Sequence, residues 1–66
     1  MKLYKATHDG VRAFSFSFSS TQGPNETVCV LDRGMLVVEI EKLQDDFLCL
    51  TPHGIGWIYS RHMEQT

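Results

Sequence analysis

The chain has 66 residues, 42% of them apolar and 11% aromatic, with six Lys and Arg against eight Asp and Glu and a formal net charge of −2. So short a chain buries only ~60% of the surface its unfolded form exposes, which leaves room for one domain and one thin core. The composition excludes a disordered chain, no apolar run approaches the ~18–20 residues that span a bilayer, and scattered cations give no electrostatic footprint for sequence-independent nucleic-acid binding.

Met1-Lys2-Leu3-Tyr4-Lys5 is basic, but Thr7-His8-Asp9-Gly10 follows at once, so no apolar signal-peptide core forms and a cytoplasmic location is expected. In that reducing compartment Cys29 and Cys49 are expected as free thiols.

Lys2 to Ala6 reads as a short strand, closed by the turn chemistry of Thr7-His8-Asp9-Gly10. Phe14-Ser15-Phe16-Ser17-Phe18-Ser19 alternates with period two, three rings on one face and three hydroxyls on the other, which is a strand with outward serines. Its rings either extend the core or form an uncharged strand that pairs with another chain. Ser20 to Glu26, polar around Gly23-Pro24, reads as a surface loop.

Thr27 to Leu31 is β-branched and apolar, and Asp32-Arg33-Gly34 turns the chain into Met35 to Glu41, where Leu36, Val38 and Ile40 are expected inward. Gln44-Asp45-Asp46 is the next turn, followed by a strand over Phe47 to Thr51. Pro52-His53-Gly54 then links to a strand over Ile55 to Tyr59. With Leu48 and Leu50 inward, alternation sends Phe47 and Cys49 outward. Five to six short antiparallel strands without helical periodicity predict an all-β single domain, a small barrel at this length, with Ala6, Leu36, Val38, Ile40, Leu50, Ile58 and Met63 in its core.

From about Val28 to Glu64 the order of features resembles the SH3 and bacterial SH3-like family. Leu31-Asp32-Arg33-Gly34-Met35-Leu36 is similar to that family's diverging turn, and Asp45-Asp46-Phe47-Leu48-Cys49-Leu50 to the acidic-aromatic start of its next strand. Gly56-Trp57-Ile58-Tyr59-Ser60-Arg61-His62-Met63 resembles the stretch leading into a short 3₁₀ turn before the last strand, and Lys5-Ala6-Thr7-His8-Asp9 resembles the family's opening through its alanine and aspartate.

The resemblance implies an SH3-like barrel and a ligand groove, in which Phe47 takes the place of the ligand tryptophan, Trp57 of an aromatic, Tyr59 of the groove proline and His62 of the last tyrosine. His8 and Gly10 stand where two tyrosines are expected. The candidate binding face is thus Phe47, Trp57, Tyr59 and His62 with Asp45, Asp46 and His8, and Phe47 either contacts ligand or covers the barrel rim. If the resemblance holds, His8 and His62 lie close across the groove, and binding there falls as pH drops toward ~6.

The residues carry no nucleophile with a base at useful spacing, no phosphate loop, no cofactor motif and no metal-ligand pattern among His8, His53 and His62, so neither an enzyme nor a metal protein is expected. The expected function is a small protein-binding adaptor or regulator that engages a basic or proline-containing segment of a partner protein. A structural or homodimeric subunit built on the Phe14 to Phe18 strand is the second reading, and nucleic-acid binding on the aromatic β surface the third.

Overall fold

The computed structural model describes residues 2–17 and 26–66. β1 (Leu3–Ala6) buries Tyr4 and Ala6 and exposes Leu3 and Lys5, the period-two pattern of a half-buried strand. Gly10, at φ 83°, supplies the left-handed residue that lets the next turn close into β2 (Val11–Phe14), whose Val11 and Ala13 face inward. β3 (Thr27–Leu31) and β4 (Leu36–Leu43) are joined through Gly34 at φ 84°. β5 (Asp46–Thr51), β6 (Gly54–Tyr59), a 3₁₀ turn over Ser60–His62 and β7 (Met63–Gln65) follow.

The seven strands form one antiparallel sheet in the order β3-β2-β6-β5-β4-β1-β7. This is the all-β fold expected, with the 3₁₀ turn near the C-terminus and the short β7 bringing the count above six. The sheet curls until Leu31 on β3 and Met63 on β7, its two edges, share one core with Tyr4, Val37, Phe47, Cys49 and Ile58. Gly56 makes the tightest inner approach: a Cβ there would lie 2.8 Å from Ala13 Cβ. Among the described residues no helix is long and apolar enough to cross a membrane.

Ala6, Ile58 and Met63 of the expected core are buried. Leu36, Ile40 and Leu50 are half exposed and Val38 lies on the outer side, so the expected faces of β4 and β5 are inverted: Val37, Phe47 and Cys49 point inward. The strands are apolar at both parities, so alternation alone does not choose a face; cross-strand partners do. Tyr4 opposite Val37 and Phe47 opposite Ile58 set the inner row, and a register shift between Glu39 and Glu41 sets Ile40 out of the pairing.

The expected strand over the alternating rings is also corrected. Its regular part ends at Phe14, where a register shift interrupts the pairing, and Phe14 is bonded on both sides, to β3 and β6, so it is no sheet edge. Ser17, expected outward, is buried, while Phe14 and Phe16 are half-buried. Phe18, Ser19 and most of the expected Ser20 to Glu26 loop lie outside the described residues.

Candidate functional site

Outward positions on β2 and β6 set the floor of a groove. Arg12 and Phe14 share the outer parity of β2, Trp57 and Tyr59 that of β6, and Phe14 stands opposite Trp57. The 3₁₀ turn then swings His62 back over the end of β6. Gly10, Arg12, Phe14, Tyr59 and His62 together line a groove of about 210 Å³.

The 3₁₀ turn is fastened to the β1–β2 turn by backbone, Thr7 N–H donating to the His62 carbonyl at 3.1 Å. That link brings the His8 and His62 rings edge to face at 5.2 Å, and His62 meets Tyr59 edge on at 5.7 Å. The Arg61 guanidinium lies over the Tyr59 ring at 5.6 Å. The expected closeness of His8 and His62 is present, and the groove edge is an aromatic row bordered by Arg12 and Arg61.

Of the expected face, Tyr59, His62 and His8 come together here and Trp57 stands beside Phe14 on the same outer surface. Phe47 does not join them. It is 7% exposed, stacks on Tyr4 at 5.1 Å between ring centroids, and carries Lys42 Nζ 5.6 Å above its ring. Its inward turn follows from the inverted face of β5. Asp46 is 2% exposed, and its Oδ2 accepts a 2.6 Å hydrogen bond from Ser17 Oγ, which removes it from the ligand-facing surface. Asp45 is exposed in the β4–β5 turn, its carbonyl accepting from Ser60 N–H at 2.9 Å.

Sequence reasoning missed Arg12 and Phe14 as groove residues. The available signal was parity: Arg12 and Phe14 are two apart, so a strand beginning at Val11 puts both on one face.

Burial shapes two ionisable groups away from the groove. Burial, then the charge of Glu39, pushes the Cys49 thiol up to about 12. Burial and the Glu39 carboxylate also raise Tyr4, whose hydroxyl donates to Glu39 Oε1 at 3.4 Å. A thiol held neutral in a core is inert as a nucleophile. Among the described residues no group of three or more His, Cys, Asp or Glu converges to hold a metal ion. What the groove offers is stacking, apolar contact and the guanidinium of Arg12. No family model matches the chain, and neither the curated proteins nor the solved structures compared with it give a significant match.

Proposed function

We propose that the chain is a non-enzymatic, SH3-like binding module that takes an extended, proline-containing segment of a partner protein in the groove between Phe14, Tyr59 and His62. The observation that carries this reading is the row of half-buried rings around that groove. A polyproline helix is already extended, loses little entropy on docking, and is held by ring faces rather than by a hydrogen-bond code. Arg12 in the lining and Arg61 over Tyr59 favour acidic or neutral residues beside the prolines, since Asp46, which would have favoured basic ones, is buried against Ser17. A cytosolic adaptor or regulator suits a chain whose Cys29 and Cys49 are both free.

The test is a titration of the isotopically labelled chain with proline-containing peptides bearing acidic, neutral or basic flanks, and with proline-free versions, read by amide shifts. Shifts centred on Gly10, Arg12, Phe14, Tyr59 and His62, strongest for acidic flanks, are expected. Absence of shifts there at millimolar peptide, or shifts no different without proline, overturns the reading.

The outward placement of Phe14, Trp57 and Tyr59 beside Arg12 favours a second reading, stacking of single-stranded nucleic acid bases. It requires retention of a single-stranded oligonucleotide at low salt with a shallow salt dependence, because few cations are available.

A further inference from the structure

An antiparallel sheet with one wet face shows apolar residues inward and polar residues outward. Three central strands break that rule on the outer side: β4 presents Leu36 and Val38, β5 Leu48 and Leu50, β6 Ile55 and Trp57. The register makes them contiguous, with Leu3 opposite Val38, Val38 opposite Leu50, Leu50 opposite Ile55 and Leu48 opposite Trp57. Leu50 and Ile55, at the centre, are 49% and 53% exposed. Charges of both signs border this row, Lys5 opposite Leu36 and ion-paired with Glu64 at 3.8 Å, and Glu41 opposite Leu48.

We propose that this outer face of β1, β4, β5 and β6 is covered by a second copy of the chain, sheet against sheet about a two-fold axis. Area is the first argument. Seven such side chains, four of them about half exposed, leave roughly 500 Å² of apolar surface, at the upper end of what monomers carry. Two copies face to face remove ~1,000 Å² in total, where specific interfaces begin.

Self-complementarity is the second argument. An isologous contact must tolerate its own image, and an uncharged centre with a rim of both signs does so without burying like charges. Size is the third: a 66-residue chain gains little net stability from one thin core, and association supplies burial that the monomer lacks. The groove lining of Gly10, Arg12, Phe14, Tyr59 and His62 shares no residue with this apolar row, so dimer and segment binding are read out separately.

The experiment is light scattering after size exclusion over three decades of concentration, on the intact chain and on Leu50→Glu and Ile55→Lys separately. The intact chain is expected at the mass of two chains, dissociating on dilution, and each variant at the mass of one. Each substitution enters a two-fold interface twice, so dimer affinity falls about 100-fold or more. Both positions are half exposed, so the monomer fold tolerates the charge, which circular dichroism checks. A melting temperature that rises with concentration in the intact chain gives the same answer without any substitution. A monomer at every concentration, a concentration-independent melting temperature, or a dimer undiminished in both folded variants overturns the proposal.

Discussion

Ser17 Oγ donates a 2.6 Å hydrogen bond to Asp46 Oδ2, and both side chains are buried. A carboxylate out of water needs its hydrogen bonds, and removing the Ser17 hydroxyl takes one of them away. Ser17→Ala is expected to cost about 1–3 kcal/mol, and Asp46→Lys, which replaces the buried acceptor by a longer ammonium that cannot accept from Ser17, to cost more. Urea unfolding of the two variants checks this, and a Ser17→Ala midpoint equal to the parent's would mean that the bond contributes nothing.

Gly56 and Ala13 form a second close pair. A Cβ at Gly56 would stand 2.8 Å from Ala13 Cβ and 3.4 Å from the Phe14 carbonyl oxygen, and Ala13 is fully buried. Gly56→Ala is expected to destabilise by about 1–3 kcal/mol through overpacking between β2 and β6. Adding Ala13→Gly should recover part of that loss, so the double variant unfolds later than the two single costs summed. Strict additivity would show that backbone crowding, not the Ala13 methyl, sets the cost.

The strands from Thr27 onward were legible because β-branched runs are bounded by Asp-Arg-Gly, Gln-Asp-Asp and Pro-His-Gly, and the structure places strands and turns there. Their faces were not. Val37 and Val38, or Leu48, Cys49 and Leu50, are apolar at both parities, so only long-range pairing decides which is inside. Ser17 deceived for a related reason. Its alternation with the rings continues past the end of β2, where the chain bends and a serine packs against a carboxylate instead of water. Tyr59, His62 and His8 were legible as neighbours through the resemblance alone, since 54 positions separate His8 from His62 and no local pattern joins them.

Phe47 and Tyr59 separate packing from binding. Phe47 is in the core against Tyr4, and Phe47→Ala is expected to cost about 3–5 kcal/mol, enough to unfold a domain this small. Tyr59 is half-buried at the groove, so Tyr59→Ala should keep most of the stability while losing the amide shifts that a proline-containing peptide produces. Thermal melts of both variants beside one peptide titration decide it. A folded Phe47→Ala that no longer binds would return Phe47 to the ligand face.

Cys49 ties the core to alkaline stability. Burial, with Glu39 as the lesser cause, raises its thiol from 9.0 to about 12 in the folded chain. Above pH 9 the unfolded thiol releases its proton while the folded one keeps it, so the unfolded state binds fewer protons and stability falls as pH rises. The contribution is fully present below that pH and is lost progressively up to the folded value, on the order of 1.4 kcal/mol per pH unit from this group. Tyr4, raised for the same reasons, adds in the same direction at higher pH. Cys49→Ala removes the thiol, so its unfolding midpoint should decline less than the parent's between about pH 9 and 11. Equal declines in the two proteins would show that Cys49 ionises as readily folded as unfolded. At neutral pH the same burial should limit a thiol reagent to the half-buried Cys29, with Cys49 reacting only through opening of the fold, at the unfolding rate when the reagent is in sufficient excess to outpace reclosing.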